Sequence, residues 1–368
     1  MAFSDRWRAF RNRMIARPGF QAFAAAFPLT RPIARARSKA LFDLIAGFTY
    51  SQTLVACLEL DLIARLAEGP QTLEALAQTL DFAPDRLARL LKAAVGLEIL
   101  EKTSSGAFDL GIHGAALLGN PWIAGFIRHH PILYDDLRDP VGVLRGGSET
   151  GLARYWAYAG AGEGQVSEKQ DVSAYTALMA ASQAAVAREI LALHDFSDCE
   201  EVLDIGGSNG SFIVAAAARY PKLRFTLFDL PAVAGLAAEN FEKSGISNRA
   251  KAIPGSFLTD PLPKTSKAAT LIRVLHDHDD ESALRILTAA HTCLPQGGRL
   301  ILAEPLAGDR ATAPISDGYF GLYFAAMGQG KTRTPAEIAE IARKAGFHIV
   351  EPPRARMPLI TSVIVLRH

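Results

Sequence analysis

Short apolar runs and helical patterns alternate from Glu200 onward, and this alternation limits the possible folds more than any other feature of the sequence. The apolar runs are EVLDI, RFTLFD, ATLIRVL and RLILAE. Strands separated by helices form a parallel sheet with helices on both faces. Two last strand-like runs, Phe347–Glu351 and Ser362–Leu366, are too close together for a crossover helix, which predicts an antiparallel pair. The second half of the chain is therefore predicted to be an α/β domain.

Residues 41–120 predict a smaller helical module. Helical patterns at 72–80 and 85–97 precede two strand-like runs around a turn at 104–106, which predicts a hairpin. Helix, helix and hairpin form a winged-helix arrangement, which either reads DNA or joins subunits. The second helix carries only three cations and lacks the Asn, Gln and Ser residues of a face that reads bases. We therefore predict an interaction module and no nucleic-acid partner.

Residues 40–66 predict one long helix that is too apolar to be solvated on all sides, so it must be buried in a core or between subunits. Its apolar stretch, Leu44–Leu58, is interrupted by polar residues and is shorter than the roughly 18 apolar residues of a membrane-spanning helix. We therefore expect a buried helix. Residues 121–193 predict a helical connector, and residues 194–368 hold the α/β domain.

Residues 1–40 form a basic arm with nine Lys and Arg side chains and one acid, Asp5. Large apolar residues alternate with the cations. They are Trp7, Phe10, Met14, Ile15, Phe20, Phe23 and Phe27. A basic amphipathic segment with aromatic residues can lie on an anionic membrane surface. The alternative is a solvated arm that folds over a dimer partner. The whole chain has a net charge of +1, so it carries no global field typical of nucleic-acid binders.

Three scattered cysteines, Cys57, Cys199 and Cys293, are too few for a disulfide framework and indicate a reducing compartment. The first residues do not have the pattern of a secretory leader. We therefore expect a cytoplasmic protein, and the arm leaves open a peripheral contact at the cytoplasmic face of a membrane. The nine histidines show no zinc-ligand spacing, so no metal is expected.

The first predicted strand of the α/β domain ends in a turn that contains Gly206, Gly207 and Gly210. Glycines let a bound molecule approach the backbone closely, and open α/β sheets bind ligands at this edge. The spacing is not GxGxxG and the turn has no phosphate-binding lysine, which disfavours a pyrophosphate. Asp229 ends the second strand, where a carboxylate either accepts ribose hydroxyls or caps a helix. Together they indicate a nucleoside without a diphosphate, and S-adenosylmethionine fits.

His276 follows the ATLIRVL strand and is therefore expected at the same edge of the sheet. Its ordinary pKa, near 6.5, allows it to accept a proton at neutral pH. We interpret Asp279 and Asp280 as caps of the next helix. Glu304 ends the RLILAE strand and would lie beside His276 if the two strands are neighbours, orienting the imidazole and stabilising its imidazolium. A surface acid at a strand end is the alternative interpretation of Glu304.

In order and spacing, the runs LDIGGSNG, FDLP, PGSF, RVLHD, LPQGGRL and GKTRT resemble the caffeate/acetylserotonin-type O-methyltransferases. The resemblance implies a Rossmann-like class I methyltransferase domain, a winged-helix-like dimerisation domain that forms a homodimer, S-adenosylmethionine as cofactor and His276 as general base. The cofactor contacts that we predict are Asp204, Gly206, Gly207, Gly210, Asp229, Leu230, Gly255, Ser256, Phe257 and Arg273. The substrate contacts that we predict are Tyr175, Met179 and His278, with the helical connector contributing to the pocket.

Three positions depart from the pattern of that family. Ser208 replaces its third glycine, and His278 stands where a tryptophan is usual. Thr332 stands where some members have a glutamate, so Glu304 is left as the carboxylate partner of His276.

The runs FPLTRPIARAR, ALFDLIAGF and PLITSVI resemble the bacterial carotenoid O-methyltransferases that act on hydroxyneurosporene and demethylspheroidene. This narrower resemblance implies a hydrophobic, hydroxylated acyclic carotenoid as substrate, and a membrane-resident substrate would explain the basic arm. A small phenol or quinol is the alternative substrate. A winged-helix regulator that senses S-adenosylmethionine without catalysis is the alternative outside enzymes.

Overall fold

A computed structural model describes residues 3–146, 149–155, 183–264, 267–308, 313–349, 352–356 and 361–368. The chain folds as two compact units, Met1–Ala124 and Gly125–His368.

The first unit is helical with one small hairpin. Its helices are Phe3–Ile15, Pro18–Ala26, Arg31–Glu59, Leu62–Ala67, Leu73–Leu80, Pro84–Gly96 and Ile112–Leu118, and Pro121–Arg128 crosses the unit boundary. Strands β1 (Leu100–Lys102) and β2 (Phe108–Leu110) pair antiparallel. The Thr72 hydroxyl accepts the Ala75 N–H at 3.2 Å and caps the helix that follows it. The predicted helix–helix–hairpin order is confirmed.

The single long helix predicted over 40–66 is wrong in its bounds. The helix begins at Arg31, with Pro32 in its first turn, where the missing N–H of proline costs no hydrogen bond. It ends at Glu59, because Asp61 adopts a left-handed φ of +51° before a separate helix, Leu62–Ala67. The apolar pattern continues across residues 60–61, so hydropathy alone does not predict where the helix ends.

The burial predicted for this helix is also not found within one chain. Only Val55, Cys57 and Leu58 are buried, whereas Leu44 and Phe48 are 80% and 69% exposed. The stretch Leu44–Leu58 is predicted to be too short for a membrane span, but the whole helix is longer, and within the described ranges it alone is long and apolar enough to cross a membrane by length and composition. Its apolar middle therefore needs a partner outside its own chain.

The second unit is built on a seven-stranded sheet with the order β5-β4-β3-β6-β7-β9-β8. The strands are β3 (Glu201–Ile205), β4 (Arg224–Asp229), β5 (Ala250–Pro254), β6 (Ala268–Ile272), β7 (Arg299–Glu304), β8 (His348–Ile349) and β9 (Ser362–Arg367). Strands β3 to β7 are parallel, and β9 is antiparallel to both of its neighbours. The predicted Rossmann-like sheet and its closing antiparallel pair are confirmed.

The second unit also contains helices and short turns outside the sheet. They are His130–Asp136, Pro140–Leu144, Gly151–Tyr155, 183–193, Ser211–Arg219, Pro231–Lys243, the 3-10 turn Leu275–Asp277, Asp280–Cys293, the π-helical turn Pro314–Tyr319, Phe320–Met327 and Pro335–Lys344. Alternate strand residues enter different cores, so Leu203 packs with Ile286 and Ile338, whereas Val202 packs with Phe241. The carboxyl ends of β3, β4, β6 and β7 therefore meet at one edge, where parallel sheets bind ligands.

Candidate active site

The turn after β3 has a backbone that only glycine tolerates at two positions. Gly206 and Gly210 have φ values of +67° and +75°. A Cβ on Gly206 would lie 2.8 Å from a methyl carbon of Val274, and one on Gly210 would lie 2.4 Å from the ring of Phe241. Neighbouring side chains therefore leave no room for a Cβ at either position. Because glycine has no side chain, the main chain of the turn stays accessible to a ligand at these two residues.

Two polar side chains at this turn are buried without a full set of partners. Asp204 is fully buried, and its Oδ1 accepts the Thr270 hydroxyl at 2.6 Å. Its Oδ2 and the Ser208 hydroxyl have no hydrogen-bond partner among the described residues. Burial raises the pKa of Asp204 to about 7. A cationic ligand at the turn would offset this penalty.

Asp229 lies at the end of β4 and faces the same turn. Its Oδ2 accepts the Ser208 N–H at 2.8 Å, and its Oδ1 accepts the Leu230 N–H at 2.7 Å. Each carboxylate oxygen has a second lone pair, so both can still accept a hydroxyl. Burial raises the pKa of Asp229 to about 6. The alternative interpretation of Asp229 as a helix cap is wrong, because in the part of the chain that the structure describes no side chain caps the helix Pro231–Lys243.

Strand β5 brings its carboxyl end to Asp229. The Gly255 N–H donates to the Asp229 carbonyl at 2.9 Å, and a Cβ on Gly255 would lie 2.4 Å from the ring of Phe228. The Ser256 N–H donates to Asp260 at 2.8 Å, and Phe257 lies beside Gly206. The structure therefore brings the predicted contacts of β3, β4 and β5 to one place.

Two buried acids, uncovered glycine main chain and an aromatic ring fit a nucleoside that carries positive charge. S-adenosylmethionine has ribose hydroxyls for Asp229, and the ammonium group of its amino-acid portion suits Asp204. The charges of the site therefore favour this cofactor over an anionic dinucleotide.

His276 lies in the 3-10 turn Leu275–Asp277, directly beyond β6. Arg273 starts this turn at a φ of +55°, a conformation that costs a residue other than glycine about 1–2 kcal/mol. The imidazole is buried, with Nδ1 hydrogen-bonded to Glu304 Oε2 and Nε2 3.3 Å from Asp277 Oδ1. Burial lowers the pKa of His276. The nearby carboxylates of Asp277 and Glu304 raise it by more, so the net pKa is raised above 6.5.

Glu304 holds both the base and the turn. Strands β6 and β7 are neighbours, as predicted, which places Glu304 beside His276. Its Oε1 accepts the N–H groups of Val274 and Leu275 at 3.1 and 2.8 Å. The surface-acid interpretation is wrong, because Glu304 is only 2% exposed.

No role was predicted for Asp277, although it follows His276 directly and its carboxylate lies near Nε2. The capping prediction is confirmed for Asp279, whose Oδ1 accepts the Ser282 N–H at 2.8 Å. It is wrong for Asp280, whose carboxylate accepts from Arg333 and Lys331 instead. The three acids of the run HDHDD, residues 276–280, have no sequence signal that separates these roles.

The predicted substrate contacts are only partly within the structure. Tyr175 and Met179 lie outside the described residues. His278 is buried, with its ring edge-on to Phe257 at 5.6 Å between centroids, and burial lowers its pKa to about 4. It therefore lies beside a predicted cofactor contact, Phe257, and its contact with substrate stays a prediction.

An apolar region adjoins the base. The ring of Phe324 lies 5.5 Å from that of His276, between centroids. Phe324 also lines a cavity of about 470 Å³. The other lining residues are Val143, Leu144, Gly146, Thr150, Ala153, Gly321, Ala325, Gly328, Gln329, Gly330, Lys331 and Thr332. Thr332 has no carboxylate to offer His276, and its hydroxyl donates to the Ser316 carbonyl at 3.0 Å.

Comparisons with known proteins agree with this fold. The family model of the O-methyltransferase domain matches residues 134–348, and that of the O-methyltransferase dimerisation domain matches residues 42–115. Human N-acetylserotonin methyltransferase in complex with S-adenosylmethionine superposes with a TM-score of 0.71 at 23% identity, over 90% of this chain and 97% of its own. Mitomycin 7-O-methyltransferase gives 0.73 at 23% identity, over 92% and 99%.

Two curated relatives are more similar in sequence. Demethylspheroidene O-methyltransferase of Cereibacter sphaeroides is 39% identical over 345 residues, 94% of this chain and 91% of the relative. The protein of the same name from Rhodobacter capsulatus is 41% identical over 339 residues, 92% and 84% of the two chains. The chain therefore belongs to the S-adenosylmethionine-dependent O-methyltransferases that form homodimers through an N-terminal domain.

Proposed function

We propose that this enzyme methylates the hydroxyl group of an acyclic carotenoid such as demethylspheroidene or hydroxyneurosporene, with His276 as general base. The observation that carries the reaction is the buried His276–Glu304 pair beside the turn that fits the cofactor. The substrate class is supported by the two demethylspheroidene O-methyltransferases, which align with more than nine tenths of the chain. The aromatic and glycine-rich surroundings of the base suit an apolar molecule.

When bound, S-adenosylmethionine supplies a methyl group that its sulfonium charge activates. Asp204, Asp229 and the glycine turn hold the cofactor. His276 accepts the hydroxyl proton at Nε2, because Glu304 occupies its Nδ1. Glu304 and Asp277 stabilise the imidazolium that results. Phe324 and the neighbouring aromatic rings limit the access of water to this proton transfer.

A methyl-transfer assay tests the substrate. With radiolabelled S-adenosylmethionine, we expect label to enter a detergent-solubilised hydroxylated acyclic carotenoid and not to enter a panel of small phenols and quinols. The same carotenoid without its hydroxyl group is the matched control and should stay unlabelled. Label that enters only phenols or quinols would contradict the carotenoid substrate but would still support O-methyl transfer as the reaction. Tight cofactor binding without transfer to any acceptor would contradict the reaction and favour a sensor.

We also propose that the enzyme is cytoplasmic and that its N-terminal arm, residues 1–40, binds an anionic membrane surface. Twelve of the 18 large apolar side chains that are exposed in the described residues lie between Trp7 and Phe48. Eight of the twelve precede residue 42, where the match to the dimerisation domain begins. A homodimer through that domain can cover Leu44 and Phe48. The arm keeps nine exposed cations, and lipid headgroups complement this charge by about 1 kcal/mol per cation near the surface.

Vesicle sedimentation tests the arm. The wild-type enzyme should bind vesicles of phosphatidylcholine with phosphatidylserine, and added salt should weaken the binding. Replacing Trp7 and Phe10, whose rings lie 5.8 Å apart, by serine should reduce the binding several-fold. Phe82→Ser, which alters an exposed aromatic residue outside the arm, should leave it unchanged. Wild-type enzyme that does not sediment with these vesicles would assign the arm to the dimer partner.

A further inference from the structure

The segment 330–333 runs beside the turn that carries His276 and binds its main-chain carbonyls. The Lys331 N–H donates to the His276 carbonyl at 2.7 Å. Gly330 has a φ of +98°, and a Cβ there would lie 2.7 Å from the same carbonyl oxygen. Main-chain atoms of the two segments therefore meet directly, without side chains between them.

Arg333 adds a buried side chain to this contact. It is only 2% exposed. Its Nη1 donates to the Leu275 carbonyl at 2.8 Å, and its Nη2 donates to the His278 carbonyl at 2.8 Å. Its Nε donates to Asp280 Oδ1 at 2.9 Å, which orients the guanidinium plane. One planar group thus binds carbonyls on both sides of His276.

We infer that Arg333 is a positioning residue that fixes the direction of His276 Nε2, and this rests on the proposed role of His276 as base. The 3-10 turn has few hydrogen bonds of its own, such as the one from the Asp277 N–H to the Val274 carbonyl at 3.1 Å. Glu304 binds N–H groups of the turn, whereas Arg333 binds its carbonyls. Glu304 and Arg333 therefore fix the N–H groups and the carbonyls of the main chain around His276, and this main chain sets the direction of the imidazole.

A lysine cannot replace this arrangement. Burying a guanidinium carries a desolvation cost, which its hydrogen bonds to Asp280 and the two carbonyls offset. Its donors stand in a rigid fork, whereas an ammonium is a single point charge on a flexible stem. Arg333→Lys keeps the charge and loses the fixed spacing of the donors, so the substitution isolates positioning from electrostatics.

The experiment compares Arg333→Lys with the wild-type holoenzyme. We expect kcat to fall about 10²-fold, the loss typical of a misplacement near 1 Å, with KM and the Kd of S-adenosylmethionine little changed. The acidic limb of kcat/KM should also move, because its position reports the contacts of His276 with Glu304 and Asp277. Guanidinium ion at low concentration should restore part of the kcat lost by Arg333→Ala.

Two further variants complete the test. Arg224→Lys is the matched control: it replaces an exposed arginine that pairs with Glu200 at the amino end of β4, away from the site, and should retain wild-type kcat. Asp280→Asn keeps Arg333 but removes the carboxylate charge that orients its guanidinium, so kcat should fall severalfold. This variant tests the inference even if the Arg333 variants do not fold.

Wild-type kcat and an unchanged pH profile in Arg333→Lys would overturn the inference, as would an equal loss of cofactor affinity. Should the Arg333 variants not fold, unchanged kcat in Asp280→Asn would overturn it. Full turnover in His276→Ala would instead overturn the proposed function.

Discussion

Replacing His276 with alanine is expected to lower kcat by about 10²–10⁴-fold, the usual contribution of a general base, while the affinity for S-adenosylmethionine stays unchanged. The two effects separate because the turn beneath the cofactor does not depend on the imidazole. Asp204 and Asp229 receive their hydrogen bonds from Thr270, Ser208 and Leu230. Single-turnover methyl transfer and calorimetric cofactor titration measure the two quantities.

His113→Ala is the matched control for the loss of a histidine. His113 is exposed and lies in the N-terminal unit, so this variant should keep wild-type kcat. Thermal unfolding shows whether His276→Ala stays folded, since Glu304 keeps its hydrogen bonds from Val274 and Leu275. A parallel loss of cofactor affinity would contradict the assignment of His276 as base.

Much of the fold follows from the sequence because parallel strands that are buried on both faces have continuous apolar runs. Strand β5, Ala250–Pro254, was missed since it lies at the edge of the sheet and includes the exposed Lys251. The burial predicted for Arg31–Glu59 is not found within one chain, for a different reason. Hydropathy shows that a helix needs an apolar partner, but it does not show whether the same chain supplies one.

The site was predictable where a residue ends a strand and less so beyond it. Glu304 ends β7 and His276 follows β6, so topology brings them to one edge. The left-handed backbone of Arg273 then redirects the chain, and no sequence pattern indicates where Asp277 points after such a turn. The contact of Arg333 with the turn crosses more than 50 residues of sequence and was not predicted for the same reason.

Glu304→Gln is expected to lower kcat as much as the loss of the base, up to about 10⁴-fold, because an amide cannot match both sets of partners. One carboxylate oxygen accepts two main-chain N–H groups, and the other binds His276 Nδ1. In glutamine, the oxygen can face only one of these sets. If it faces the N–H groups, the NH₂ donates to Nδ1 and the proton of the neutral imidazole moves to Nε2, where it blocks the base.

The pH dependence of kcat/KM tests this substitution a second time, because the direction in which the acidic limb shifts can be predicted. A neutral imidazole is the active form, so activity should rise with pH through the pKa of His276, which Asp277 and Glu304 hold above 6.5. Removing the charge of Glu304 lowers that pKa, so the acidic limb should shift to lower pH while the plateau falls. Glu340→Gln removes an exposed carboxylate paired with Lys344 and should move neither. A lower plateau with an unmoved limb would show that Glu304 supports the turn without setting the charge of His276.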